Sequence, residues 1–395
     1  MRYFFIFFMF PLFLFSQEFF VGSYPSSIEG GEGAILNPSF MPELEGLQVF
    51  TSLNLFYERS DYLDYSSRDK RKFKGLLSAS YNITEEIAVG AGIFPLLSYS
   101  SNFKKDVPFR YFLRKFEYDA EELRASLGIR VTNNINVGFA LRQIGLDLSF
   151  SKSELSPEIN GESYEIYGSY KGSQKDISFE LSGFYKFKDY KFALIFRPET
   201  KITYGFGDFS VNFTPSEYAS EEIYKTLKTF YPSGGVKTEG YIPQQVVISG
   251  TKPVRDFEIS LCLIWTDWSS WKNLKFDYKN ETVDPSTGED VLKDQEVKLH
   301  FEDSFNLKGL LTYEFQNKLK GYFEILLKEK ITDNAQFAGL EMGNGLEITL
   351  GASYPVEYSK FKGKVFGYYT FSLYEENRGF DYKKNLLGAG LSFSF

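Results

Sequence analysis

The sequence feature that most constrains this chain is a strict alternation of apolar side chains with polar or small ones. In residues 305–315 the mostly apolar odd positions alternate with Asn306, Lys308 and Glu314. Successive side chains of a strand point to opposite faces, so the pattern predicts strands with one apolar face. Each stretch has about 9 to 12 residues, enough for a tilted strand to cross a bilayer. Soluble sandwiches use strands of about 5 to 6 residues, so a transmembrane barrel is favoured over a large soluble β-protein.

Connections of two length classes separate these stretches. Six short turns alternate with seven long connections, which predicts fourteen strands with both ends of the barrel on the short-turn side. In hydrocarbon every backbone N–H and C=O needs a partner, so the sheet has to close on itself. The sequence therefore predicts an all-β fold, a 14-stranded antiparallel transmembrane β-barrel, and a location in the bacterial outer membrane.

The composition agrees with this class. The chain has 42 Phe and 28 Tyr against 4 Met, and aromatic side chains favour pleated sheets. A net charge of -8 argues against a nucleic-acid partner, which requires a basic face. The single cysteine, Cys262, excludes an intramolecular disulfide, so we expect stabilisation by hydrogen-bond closure and packing.

The N-terminus has the features of an export signal. Arg2 precedes an apolar run over residues 3–15 that ends at Ser16, which is typical of a secretory signal peptide over residues 1–16. The mature chain would then begin near Gln17, with an uncleaved anchor as the alternative. No later stretch approaches the roughly 20 apolar residues of a membrane helix.

All three tryptophans lie close together in the sequence. Trp265 ends an alternating run that begins at Phe257, which predicts a place at the upper rim of the lipid-facing band, where indoles settle. Trp268 would then face the lumen and offer a surface to an apolar ligand. Interfacial anchoring is the alternative explanation for one or two of the indoles, Trp271 included.

One stretch changes the parity of its apolar positions. They are odd from Ile135 to Leu141 and even from Ile144 to Phe150, which a one-residue bulge near Gln143 would explain. The predicted inward faces carry these charged side chains: Arg124, Arg130, Arg142, Glu180, Lys186, Lys308, Glu314, Lys320, Glu324, Lys328, Glu347 and Lys364. We expect most of them to pair, because an unpaired charge in a narrow lumen is costly.

Several stretches carry a family resemblance. Three of them look like successive strands of the FadL-type long-chain fatty acid transporters, a family that includes aromatic-hydrocarbon uptake channels: PQQVVISG (243–250), IWTDWSSWKNLKF (264–276) and FEDSFNLKGLLTYEFQNKLKGYFEIL (301–326). Upstream, ILNPSF (35–40) is similar to the motif that leads the family's N-terminal plug into the first strand. VGAGIFPLLSYSSNF (89–103) resembles the third strand, which ends in a Pro-bearing segment.

The resemblance implies a barrel over residues 47–395 whose lumen holds a short N-terminal hatch over residues 17–46. Ligands would enter an extracellular groove, reach an inner site and leave sideways where strand three is kinked. The residues so implicated at the inner site are Phe19, Phe20, Val21, Phe40 and Trp268. A disordered or lumen-packed tail is the alternative for Phe19, Phe20 and Val21.

The other two predicted regions are the groove and the lateral opening. Tyr218, Ile223, Leu227 and Phe230 would form the groove, on or just ahead of a helix that begins after Ser220. Plain packing over the barrel mouth is the alternative, and the partner loop 152–175 shows no helical period. Gly90, Gly92 and Pro95 would form the opening, because Pro95 lacks the N–H that a ladder needs and glycines weaken a strand. A proline at an ordinary strand end is equally compatible with the sequence.

Catalytic chemistry finds little support. His300 is the only histidine, which excludes a multi-histidine metal site, and no cofactor motif is present. The sequence therefore predicts a non-enzymatic channel for passive uptake of hydrophobic small molecules. The alternative is a barrel scaffold or accessory protein for secretion or surface attachment. Expected partners are the hydrophobic molecule, outer-membrane lipid and lipopolysaccharide, and the barrel insertion machinery, whose terminal signature the final Phe395 resembles.

Overall fold

The structure is a computed structural model. It describes residues 24–395, apart from residues 63–64, 68–69, 104–114, 157–158, 160–161, 163, 214–219, 285–286, 289, 299, 332–343, 359–360 and 376–379. Within the described residues, no helix has both the length and the apolar character needed to cross a membrane.

Fourteen strands of the described chain form one closed antiparallel barrel. They are β1 (Leu47–Tyr62), β2 (Lys70–Asn82), β3 (Ile87–Asn102), β4 (Lys115–Thr132), β5 (Ile135–Leu155), β6 (Glu165–Phe187), β7 (Tyr190–Arg197 and Thr200–Phe213), β8 (Gly234–Ile242 and Gln245–Val254), β9 (Phe257–Thr266 and Asn273–Tyr278), β10 (Gln295–Lys298 and Ser304–Glu314), β11 (Lys320–Lys328), β12 (Gly345–Tyr358), β13 (Phe361–Tyr374) and β14 (Phe380–Ser394). Strands β1 and β14 close the barrel, with a ladder from Gln48 opposite Ser394 to Tyr62 opposite Phe380. The predicted 14-stranded antiparallel barrel is confirmed.

The remaining elements are short. A two-residue strand, Tyr65–Ser66, follows β1, and Thr282–Val283 pairs with Asp290–Leu292 in a small hairpin between the strands β9 and β10. Helix α1 (Gly33–Leu36) and a 3-10 helix (Pro38–Glu43) precede the barrel, and helix α2 (Glu221–Phe230) lies between the strands β7 and β8.

An apolar belt surrounds the outside of the barrel. Every strand contributes a large apolar side chain with 46% to 62% of its surface exposed: Leu53, Leu77, Ile93, Leu123, Leu141, Ile177, Leu194, Ile248, Leu261, Leu307, Leu327, Leu350, Tyr369 and Leu387. Below the belt, near the short turns, aromatic rings contact one another, such as Tyr190 and Phe192 with centroids 6.2 Å apart. A continuous apolar belt with an aromatic edge matches the hydrocarbon and interface of a bilayer, so the barrel spans a membrane.

Strand β5 shows where the belt ends. Its ladders with β4 and β6 pass through Gln143 without a register shift, so the bulge predicted there is wrong. The side chains keep their alternation while the surroundings change. Leu141 is exposed in the belt, whereas Ile144 and Leu148 point inward and are buried. Above Gln143 the barrel therefore has a polar outside and an apolar inside, as expected for a wall that leaves the bilayer and enters water.

Residues 24–46 lie inside the barrel, and we call them the luminal segment. Asn37 organises it: its side chain accepts from the Ser39 N–H and donates to the Pro25 carbonyl at 2.7 Å. Gly46 ends the segment with φ of 66°, at a point where a Cβ would lie 2.4 Å from the Phe395 carbonyl oxygen. Only glycine suits both conditions, so Gly46 lets the chain turn from the lumen into β1.

Candidate functional site

The luminal segment packs against glycines of the wall. A Cβ added to Gly92 would lie 2.4 Å from Ile35 Cγ2, and one added to Gly90 would lie 2.6 Å from the Ala34 Cβ. Both glycines are paired with β2 and β4 in an intact ladder. Both glycines therefore make room for helix α1. The wall is closed at their level, so the lateral opening predicted for them does not lie there.

Ion pairs hold the luminal segment on the opposite side of the barrel. Glu29 accepts from Lys320 at 2.7 Å and from Lys364 at 3.0 Å, and Ser27 donates to Glu258. Burial raises the pKa of Glu29, but the charges and hydrogen bonds of Lys364 and Lys320 outweigh burial and lower this pKa to about 2. Glu29 is therefore ionised at neutral pH and pins the segment to β11 and β13.

A layer of buried charges lies above the luminal segment. Arg124 donates to Glu122 at 2.6 Å, to Glu180 at 3.1 Å and to the Ile35 carbonyl at 2.6 Å. Arg142 donates to Glu122 at 2.7 Å, and Arg197 donates to Glu180 at 2.6 Å. This pairing agrees with the expectation from sequence that inward charges pair with one another. We call these five side chains the charged layer.

Further pairs line the lumen elsewhere. Lys308 pairs with Glu324 at 3.0 Å, and Lys328 pairs with Glu347. The sequence predicts inward faces for all four residues. Two members of the charged layer, Glu122 and Arg197, were not predicted. Glu122 has the same parity as Arg124, which is the signal that could have revealed it.

Tryptophans and other rings fill a break in the upper wall. The strands β7 to β10 are each interrupted, and the interruption in β9 carries Trp268 and Trp271. Both are buried; Trp268 donates to Ser304 Oγ at 3.2 Å and Trp271 donates to the Asn273 carbonyl at 3.0 Å. Trp265 is partly exposed and donates to Asp303 at 3.3 Å. Trp265 keeps the outward parity of β9, whereas Trp268 is buried in the interruption of the strand.

Helix α2 has the predicted cap and the predicted apolar face. Ser220 Oγ accepts from the Ile223 N–H at 3.4 Å, and Ile223, Leu227 and Phe230 are buried in the same apolar cluster as Trp268. The chain itself covers this face of the helix. Tyr218, the fourth predicted groove residue, lies outside the described residues.

The wall is open between β2 and β3. Their ladder runs only from Asn82 opposite Ala88 to Leu77 opposite Ile93. Among the described residues, no pairing continues it upward, although β2 still pairs with β1 and β3 still pairs with β4. Pro95 lies just above the last pair, where the β3–β4 register shifts between Pro95 and Leu97. The region is a gap in the hydrogen-bonded wall, at the proline that the sequence singled out.

A cavity of about 650 Å³ opens at this gap and extends over outward-facing side chains of β1, β13 and β14, such as Leu53, Val365 and Leu391. Its lining combines the outward-facing Leu77 and Ile93 with the inward-facing Leu76 and Phe94. The Arg124 guanidinium lies over the Phe94 ring, 5.4 Å from its centroid. One residue of the charged layer therefore contacts both the luminal segment and the lining of the gap.

The other residues predicted at the inner site are separated in the structure. Phe40 packs edge-on against Phe184, with centroids 4.9 Å apart, near the short-turn end of the barrel. Trp268 lies in the upper wall break. Phe19, Phe20 and Val21 lie outside the described residues, as does the predicted signal peptide.

Comparisons with known proteins place the fold. No family model matches the sequence, and no curated protein matches it. A FadL homologue from Pseudomonas aeruginosa superposes with a TM-score of 0.77 at 13% identity, covering 94% of this chain and 95% of the other. The toluene transporter TbuX of Ralstonia pickettii gives 0.71 at 13% identity, covering 95% and 98%.

A third solved structure, the toluene transporter TodX of Pseudomonas putida, gives a TM-score of 0.64 at 12% identity and covers 94% of this chain and 95% of its own. These superpositions show that the fold is shared across nearly the whole chain. At identities this low, they show the fold alone.

Proposed function

We propose that this chain is an outer-membrane channel for the passive uptake of hydrophobic small molecules, such as long-chain fatty acids or aromatic hydrocarbons. The gap between β2 and β3 is the observation that carries the proposal, because its cavity is lined by apolar side chains of both wall faces. A FadL homologue and toluene transporters share the fold, and the sequence resembles the same family. The proposal involves no chemical step.

The charged layer supports a sideways exit. A hydrophobic molecule moving straight down would have to displace the paired charges of Arg124, Arg142 and Glu122, whose side chains are almost fully buried. Separating buried ion pairs costs several kcal/mol. Movement past Leu76 and Phe94 toward the lipid separates none of these ion pairs, so the gap is the lower-energy route.

Movement of the luminal segment would open this route, so the segment acts as a hatch. Arg124 holds the Ile35 carbonyl and the Phe94 ring at once, so displacement of helix α1 would release Arg124 and with it Phe94. We assign ligand contacts to Phe40 and Trp268, and to Phe19, Phe20 and Val21 ahead of the described hatch. Lipid and lipopolysaccharide would surround the belt, and the insertion machinery would read Phe395.

Blocking the gap tests this proposal. Gly75 faces outward at the edge of the cavity, and a Cβ there would lie 3.8 Å from the Ser52 carbonyl, an ordinary contact. Gly75→Trp therefore adds an indole at the exit, and its Cβ meets only an ordinary contact. Gly183→Trp is the matched control, because Gly183 on β6 has nothing within 4 Å of its Cβ position.

Uptake of a labelled long-chain fatty acid and of labelled toluene would be measured in bacteria that lack their own transporters. The unmodified protein should raise uptake of at least one probe. Gly75→Trp should lower that uptake about tenfold, which corresponds to about 1.4 kcal/mol for moving the indole out of the exit, and Gly183→Trp should not change it. No uptake above cells without the protein would contradict a transport function, and equal uptake by both variants would contradict the lateral exit.

A further inference from the structure

Ion pairs connect the two edges of the gap across strand β3. Lys72 of β2 lies 3.1 Å from Asp119 of β4, and Lys74 lies 3.4 Å from the same carboxylate. Lys74 also lies 3.5 Å from Glu121, which lines the cavity. We call these four residues the clasp. In the order of the barrel, β3 lies between the two strands that the clasp joins.

The parity of the clasp residues shows how the edges lie. Lys72 and Lys74 have the parity of Leu76, which is buried and points inward. Asp119 and Glu121 have the opposite parity to Ala120, which is fully buried, so they point outward. Lysines on the inner face of β2 can reach acids on the outer face of β4 only if the upper edge of β3–β4 lies inside the edge of β2. The two edges overlap, and charged side chains replace the missing ladder.

The clasp lies at the upper boundary of the apolar belt. Glu121 pairs with Gly145 of β5, which comes directly after the level of Gln143 where the outside becomes polar. Charges are tolerated at this depth because the bilayer meets water there. Leu76 and Phe94 lie below it, so the gap has an apolar lower part and a charged upper rim.

We propose that the clasp determines specificity by setting the width of the gap and thus the largest cross-section of a molecule that can leave through it. The inference rests on the lateral exit proposed above. A hydrogen-bonded ladder fixes the spacing of two strands, whereas partly exposed ion pairs break and re-form readily. The clasp side chains are 9% to 61% exposed. They therefore hold the edges together while a thin molecule passes, and they resist the wider separation that a bulky molecule needs.

Reversing the lysines tests the clasp. Lys72→Glu combined with Lys74→Glu places two acids opposite Asp119 and Glu121, and like charges side by side repel. Adding Asp119→Lys and Glu121→Lys restores opposite charges with inverted sign. Lys201→Glu is the control, because Lys201 pairs with Glu239 at 2.8 Å between β7 and β8, away from the gap. Folding of each variant would be checked by the heat-dependent mobility of the barrel on gels.

The readout is the ratio of pyrene uptake to naphthalene uptake in the same bacteria, since both probes are rigid, neutral hydrocarbons that differ in width. The double variant should raise the ratio about fivefold, as expected for the loss of a few partly exposed ion pairs. The variant with all four substitutions should return the ratio to that of the unmodified protein, and the control should not change it. An unchanged ratio in a double variant that folds and transports contradicts the role of the clasp in specificity but leaves the transport function standing. Absence of uptake of either probe by the unmodified protein contradicts the transport function itself.

Discussion

Individual glycines decide how closely the hatch fits the wall. A Cβ at Gly138 would lie 2.3 Å from the Ser39 backbone nitrogen and 2.4 Å from Ser182 Oγ. The hydroxyl can rotate away, but the backbone nitrogen cannot, so the hatch itself would have to move. The barrel strand β5 is held on both sides by ladders and is the more rigid partner.

Gly138→Ala should therefore displace the hatch and lower the free energy of unfolding by about 1–3 kcal/mol, the range for overpacking. Ion conductance of single barrels in planar bilayers should rise, because the hatch no longer fills the lumen. Gly183→Ala is the control, since nothing lies within 4 Å of its Cβ position. Unchanged conductance and stability in Gly138→Ala would show that the hatch tolerates the methyl group.

Glu29 makes hatch docking depend on pH at the acid end only. Its pKa is lowered from the ordinary 4.5 to about 2. A lowered pKa in the folded state means that the carboxylate stabilises the docked hatch fully above pH 4.5. This stabilisation is lost as the pH falls toward 2.

Glu29→Gln should raise bilayer conductance at pH 7, and the unmodified protein should match it only near pH 2. Between pH 7 and pH 5 the unmodified protein should show no change from this group. The exposed Glu45, at the end of the same segment, supplies the control Glu45→Gln, which should behave like the unmodified protein throughout. A rise in the conductance of the unmodified protein already near pH 6 would contradict the role of Glu29.

Single residues also show which side-chain positions and contacts can be predicted from the sequence. Alternation assigned the inward face correctly for Arg124 and Lys308, because the face of a side chain is a property of one strand. It could not pair Lys72 with Asp119, because that contact depends on how two strands that are not neighbours overlap.

At the scale of elements, the strand count and the order of short and long connections were predictable, since each strand carries its own period. The interruptions of β7 to β10 were not predicted. Pro198 and Pro243 lie in two of these interruptions and were the available signal, because proline cannot donate to a ladder. The parity change in β5 had two possible causes, a bulge or a change of surroundings, and only the intact ladders distinguish them.

The boundary at Gln143 gives a prediction for strand β5. Val137→Arg places a charge in the middle of the belt and should lower the free energy of unfolding in lipid by about 2–4 kcal/mol. Asp147→Arg, ten residues above on the same outward face, should change it by less than about 0.5 kcal/mol, because water already surrounds that position. Chemical denaturation of both variants in lipid vesicles measures the difference. Equal losses would mean that the bilayer extends beyond Gln143.

At the scale of the whole molecule, the closed barrel encloses a buried apolar cluster. This one cluster includes Ile35 and Phe40 of the hatch and Trp268, Phe230 and Tyr382 of the upper barrel. A channel with such an interior should retain some of its cargo during purification.

Mass spectrometry of detergent-purified protein should therefore detect a hydrophobic small molecule. Its amount should fall strongly in a variant lacking residues 17–35, because this deletion removes Phe19, Phe20 and Val21 and most of helix α1. A barrel that serves only as a scaffold would release no such compound from either protein. Comparison with the surrounding detergent and lipid extract separates bound cargo from carry-over.

The inversion of the wall above Gln143 has a further consequence for the cell surface. From Ile144 to Leu148 the inward positions of β5 are apolar and buried, and they lie above the level where the outside of the strand becomes polar. In the transport function proposed above, a hydrophobic solute would enter this apolar interior before it reaches the lipid. The solute would then not have to cross the polar surface of the membrane unaided.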